Sequence, residues 1–117
     1  MKKLLLIFAM SLTLFGQDVV KANDNRALGA KLFKSKGCAM CHKQNTTSIG
    51  PTIEDIALGY SGKEEELAAY LRGKGPAIIM PEKAYVMKGQ IIKLNTISDT
   101  KLKAIARYII TIKDREF

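Results

Sequence analysis

Gly37-Cys38-Ala39-Met40-Cys41-His42 holds both cysteines and the only histidine of a 117-residue chain. Cys-x-x-Cys-His is the spacing of a c-type haem attachment site. Two thiols three residues apart on a helical turn project to the same side. Each can take one vinyl group of a haem and form a thioether. A histidine directly after the second cysteine then stands under the iron as its proximal nitrogen ligand. Gly37 is expected to let the backbone pass close to the porphyrin edge. Three other readings compete. A thioredoxin-like redox pair should follow a strand in a βαβ unit, and no such pattern surrounds Cys38. A zinc site needs four ligands, and there is no second Cys/His pair. A disulfide across so short a loop would stabilise little.

The start of the chain reads as a secretory signal. Lys2 and Lys3 form its charged end, and Leu4 to Phe15 form an apolar run of 12 residues. That run is too short to span a bilayer comfortably. Val20-Lys21-Ala22 places the cut after Ala22, so residues 1–22 are the leader and 23–117 one domain. No cysteine lies near the cut, which argues against a lipoprotein. Nothing later is apolar enough to span a membrane, and export points to the periplasm. The whole chain carries +8, and after the cut 16 basic and 10 acidic residues leave +6. Such a surface favours acidic partners and salt-sensitive encounter. No nucleic-acid motif is visible. A domain of this size buries a limited core. A covalent haem would supply the missing apolar volume, so the haem-free chain is expected to fold poorly.

Asp24 or Asn25 can cap a first helix, which carries Ala27, Leu28, Ala30, Leu32 and Phe33. Gly29 and Phe33 share one helix face. Gly within a helix costs about 1 kcal/mol against Ala, and a close crossing with another helix would explain it. Lys43 to Ile49 read as a polar loop, and Gly50-Pro51 as a turn. Glu54 to Leu58 make a short helical turn that Gly59 ends. Ser61 and Glu64 fit a capping box that opens a middle helix, with Leu67, Tyr70 and Leu71 on its apolar face. Gly73 and Gly75-Pro76 stop it. Residues 77–96 are apolar in patches without helical period. They read as one long loop, and wrapping one face of a cofactor would justify its length. The only strand-like patches are Ile78–Ile79 and Ile91–Leu94. Ser98 or Asp99 then caps a final helix with a buried stripe of Leu102, Ile105, Ala106, Ile109 and Ile112.

That order of landmarks over residues 26–112 resembles a class I cytochrome c. The resemblance implies an all-α fold whose first and last helices cross near a right angle beside one haem c. It sets Gly29 and Phe33 against Ile105 and Tyr108. It also implies that the Pro51 carbonyl accepts the Nδ1–H of His42, the support a metal-bound histidine commonly has. Tyr60 is set to reach a propionate. The sixth iron ligand would be a methionine thioether, which raises the potential. Met1 and Met10 leave with the leader, and Met40 sits on the wrong side, which leaves Met80 and Met87. Met80-Pro81 follows Gly-Pro, a frequent arrangement at the ligand position of small members. Met87 stands 11 residues before Ser98, against 18 for Met80, and a polar Lys88-Gly89-Gln90 follows it. Loop economy favours Met87, with Met80 as core filler.

The function so implied is that of a periplasmic, monomeric, one-electron carrier that transforms no substrate. By the same likeness its donor would be a quinol–cytochrome c reductase, and its acceptor a haem–copper terminal oxidase, a peroxidase or another reductase. Lys34, Lys36, Lys43, Lys74 and Lys88 are candidates to orient the encounter. Two other classes stay open at this point. One is a small-molecule-binding or peroxidatic haem protein with an open sixth position, which carbon monoxide binding would reveal. The other is a haem subunit held by a periplasmic redox enzyme, which hydrodynamics would reveal.

Overall fold

The computed structural model describes residues 25–112. The expected leader, its cut after Ala22 and Asp24 lie outside the described residues. Five α-helices follow in order: α1 over 25–35, α2 over Ile53–Gly59, α3 over Glu64–Leu71, α4 over Ala84–Lys93 and α5 over Asp99–Ile110. Short 3-10 turns cover Cys38–Met40, Pro81–Lys83 and Leu94–Thr96. No strand occurs among the described residues.

Helix α5 is the keel. Ser98 is its N-cap and accepts a hydrogen bond from the Lys101 N–H at 3.3 Å, which satisfies a donor the first turn cannot pair itself. Leu102, Ile105, Ala106, Ile109 and Ile112 are all buried, as the stripe requires. Helices α2 and α3 pack on this face. Their buried side chains include Ile53, Ile56, Leu67 and Leu71. Helix α2 starts where the Thr52 hydroxyl accepts from the Asp55 N–H at 3.0 Å. Glu54 and Asp55 then sit in its first turn, the favourable end for negative charge.

Gly29 of α1 lies against α5. A Cβ on it would come within 2.6 Å of the Ala104 carbonyl carbon and 2.8 Å of Tyr108 Cβ. The close crossing expected of Gly29 is therefore present, with the Ala104 backbone rather than Ile105 as the nearest neighbour. Phe33 and Tyr108 stack tilted, with ring centroids 5.3 Å apart.

Three local expectations are corrected. Ser61 is not the N-cap of α3: the helix begins after Lys63, and no side chain caps it. Gly62 takes a left-handed φ of 71°, and the Lys63 N–H closes a turn onto the Tyr60 carbonyl at 2.8 Å. The chain turns through Ser61 rather than entering the helix there. Residues 77–96 are not one loop, since α4 and two 3-10 turns occupy 81–96. The Ile91–Leu94 patch belongs to these turns and not to a strand. The reason the helix has no periodic signature is that α4 buries no residue. Its apolar side chains lie on more than one side, so no single stripe marks it.

Arg72, at the end of α3, ties this segment down. Its guanidinium donates to the carbonyls of Leu94 at 3.2 Å and Ile97 at 2.7 Å, and to Asp99 Oδ1 at 2.9 Å. Arg107 of α5 likewise pairs with Glu64 of α3 at 3.0 Å.

Candidate functional site

A chamber of about 650 Å³ opens between the Cys38–His42 turn, α2, α3 and the 77–94 segment. Cys38, Cys41, His42, Pro51, Tyr60, Met80 and Met87 all line it. The six candidate residues and the rival methionine thus share one wall system, although 49 positions separate Cys38 from Met87.

The attachment turn is held by its own backbone. The His42 N–H donates to the Cys38 carbonyl at 3.0 Å, and the Gly50 N–H to the Cys41 carbonyl at 3.0 Å. Gly37 has φ 79°, and a Cβ there would meet only Met40 Sδ at 3.8 Å. The left-handed turn that ends the α1 segment requires its glycine. Burial pushes the Cys38 thiol above the ordinary range, with Cys41 adding to the shift and a backbone hydrogen bond opposing it.

His42 Nδ1 lies 2.9 Å from the Pro51 carbonyl oxygen. A carbonyl only accepts, so Nδ1 carries the proton and Nε2 is the free donor of an electron pair. Gly50, expected only to form a turn, completes this arrangement. A Cβ on Gly50 would stand 2.6 Å from His42 Cε1 and 2.8 Å from Nδ1. Only glycine leaves room for the ring in the position from which it reaches Pro51. The signal was available in Gly50-Pro51 itself: the residue before the carbonyl-bearing proline has to clear the ring.

The opposite wall carries the two methionines. Met87 does not lie in a loop. It sits in the first turns of α4 and packs against the buried core. This removes the premise on which it was favoured. Met80 stands immediately before the Pro81–Lys83 turn with φ 50° and ψ 57°. It is the one non-glycine residue with positive φ among those described. That conformation costs an L-residue about 1–2 kcal/mol.

Tyr60 is buried, and its hydroxyl makes no well-formed hydrogen bond, only a weak approach to the Ile78 backbone. Burial raises its pKa, and Tyr70 alongside adds to the rise. Tyr70, expected only as part of a helix face, also lines the chamber. Haem fits these walls on several independent grounds. Ile49, Ile78 and Val86 line the chamber yet are 43–59% exposed, as apolar walls for a large apolar group would be. Two free thiols and an oriented imidazole complete the donor set, with the weakly bonded Tyr60 hydroxyl beside them. Cys38 and Cys41 would hold the porphyrin edge, and His42 Nε2 would face the iron. No helix among the described residues is long and apolar enough to cross a membrane.

Comparison with known proteins points to the same cofactor. The cytochrome c family model matches residues 26–113. Cytochrome c-552 of Nitrosomonas europaea is 36% identical over 86 residues, covering 72% of this chain and 78% of that protein. Cytochrome c-551 of Ectopseudomonas mendocina is 29% identical over 94 residues, covering 74% of this chain and all of that protein. Cytochrome c-551 of Pseudomonas aeruginosa is 29% identical over 85 residues, covering 70% of this chain and 74% of that protein.

Proposed function

The chain belongs to the cytochrome c family, with the all-α class I fold and one covalent haem c, and from that premise we propose a periplasmic one-electron carrier with His42 and Met80 as axial ligands. The observation that carries this reading is the His42 imidazole. Pro51 fixes it with Nε2 free, in a chamber that both thiols line. Haem, when bound, supplies an iron that exchanges one electron between its ferrous and ferric states. The chain's residues do the rest. Cys38 and Cys41 prevent dissociation. Gly50 and Pro51 hold the imidazole in one tautomer and orientation. The apolar walls exclude water and keep the local dielectric low, which favours the less charged ferrous site. Two protein ligands leave no open position for a substrate, which accords with a carrier rather than an enzyme.

Met80 replaces Met87 as the proposed sixth ligand for two reasons. A strained backbone at a chamber wall calls for a compensating interaction, and a bond from sulfur to iron is one. Pro81 follows directly and stiffens the turn. Met87 instead has a structural task, packing from α4 onto the core. Tyr60 is the residue we assign to a propionate, since its buried hydroxyl lines the chamber and is only weakly bonded within the chain. Export through residues 1–22 and docking to acidic donors and acceptors, of the quinol–cytochrome c reductase and oxidase or peroxidase classes, complete the reading.

The test is the weak near-infrared sulfur–iron band of the ferric holoprotein. Met80→Ala should abolish it and open the ferrous site to carbon monoxide, while Met87→Ala should retain it. Loss of the band in Met87→Ala alone would return the ligand to Met87. Rapid carbon monoxide binding by the unaltered protein would contradict a closed six-coordinate carrier.

A further inference from the structure

Helix α4 is apolar on two sides, and only one of them faces the chamber. Val86, Met87, Gln90 and Lys93 line the chamber, while Tyr85, Lys88 and Ile92 line a second cleft on the other side. That cleft, about 470 Å³, runs between α4 and the Arg72–Gly75 turn after α3. Tyr85 is 76% exposed and Ile92 60% exposed. No haem in the chamber can cover them, because they point away from it. Tyr70, Ala77 and Ala84 line both cavities. A single layer of side chains therefore separates the outer cleft from the cofactor chamber.

We propose that this outer cleft of α4 is a docking site for an acidic redox protein that inserts an apolar side chain between Tyr70 and Tyr85. The charge pattern selects the occupant. Lys88 lines the cleft and no carboxylate does, Lys74 is exposed in the adjoining turn, and the Arg72 that also lines it is already paired with Asp99. A second copy of this chain would bring Lys88 and Lys93 of its own α4 against the same cations, with no carboxylate on that helix to offset them. The concave shape suits a protruding side chain better than a flat lipid surface. Apolar contact at the centre with cations at the rim is the anatomy of a transient protein interface. The thin shared wall gives the docked partner a short route to the haem through Tyr70. The proposal rests on the electron-carrier reading, and its test is arranged so that the two fail separately.

Reduced holoprotein is mixed with respiratory membranes of the source organism, and its oxidation is followed by stopped flow. The same samples are oxidised with hexacyanoferrate, a small ion that needs no docking cleft. Tyr85→Ser/Ile92→Ser and Lys88→Glu should each slow oxidation by membranes about tenfold, with visible spectra and hexacyanoferrate rates kept. Lys31→Glu makes the same charge change on α1 and should stay within about twofold of the parent. Equal losses for Lys31→Glu and Lys88→Glu, or an unchanged double variant, would overturn the cleft. Cleft-dependent binding to anionic phospholipid vesicles would overturn it in favour of a membrane surface. A dimer seen in sedimentation and lost in the double variant would overturn it in favour of self-association. A protein that is not oxidised by hexacyanoferrate at all would instead contradict the carrier reading itself.

Discussion

Helices α4 and α5 are neighbours in the chain and nearly equal in length, yet they are stabilised in different ways. Helix α5 buries Leu102, Ala104, Ile105, Ala106 and Ile109 against other helices. Helix α4 buries nothing. Its contacts within the chain are chiefly with the 3-10 turns at its own two ends, and Arg72 fastens the exit turn. One helix is held by polypeptide. The other is a wall whose inner side fits a cofactor and whose outer side we assign to a partner. The lesson is that a helix can hold its place without burying a single residue, with only Met87 packed partly onto the core and its inner side otherwise facing a chamber.

The largest expected effect breaks this comparison outright. In the Cys38→Ala/Cys41→Ala chain, kept free of haem, amides of α4 should exchange near the open-chain rate. Amides of α5 should keep measurable protection. Hydrogen exchange with mass spectrometry reads both, and equal protection of the two helices would refute the contrast. Next, Gly29→Val should cost about 3 kcal/mol or more, because its Cβ meets the Ala104 carbonyl carbon and Tyr108 Cβ rather than a movable side-chain end. Chemical denaturation of the holoprotein measures it.

A matched pair of truncations sharpens the contrast. Ile105→Ala, at a site 1% exposed, should cost about 2–5 kcal/mol. Ile92→Ala, at a site 60% exposed, should stay within about 0.5 kcal/mol. Arg72→Met removes donors to three carbonyls and to Asp99 and should cost about 1.5–3 kcal/mol, since the carbonyls lose a charged donor. Asp99→Asn should cost much less, because Asp99 is 83% exposed and water screens the pair.

The smallest effect is alkaline. The Tyr60 pKa is raised from 10.0, by burial first and then by Tyr70. A raised folded-state value means that the neutral phenol stabilises the fold fully below pH 10. That contribution is lost as pH rises through the folded value. Tyr60→Phe should flatten the stability profile there, and the tyrosinate absorbance should appear later than in the unfolded chain.

Much of the site was legible in the sequence, for reasons that differ by residue. Cys38, Cys41 and His42 announce themselves because covalent attachment tolerates one spacing. The α5 stripe and the Gly29 crossing were legible because helix packing on helix leaves a period and a gap. Ser98 was readable as a cap. Ser61 was not, since Gly62 diverts the chain by a turn that no local pattern excluded. Gly50 and Tyr70 were missed because each acts on a group distant in the helical register. Helix α4 was missed for the deeper reason: periodicity reports burial by protein, and α4 buries no residue fully. That omission also produced the preference for Met87, which rested on a loop that is a helix.

The account stands on the haem being covalently held by the Cys38–His42 turn. The direct measurement is a denaturing gel of the exported protein stained for haem peroxidase activity, beside the Cys38→Ala/Cys41→Ala variant. Stain migrating with the parent polypeptide and absent from the variant is the predicted result. A parent band that carries no stain would contradict it.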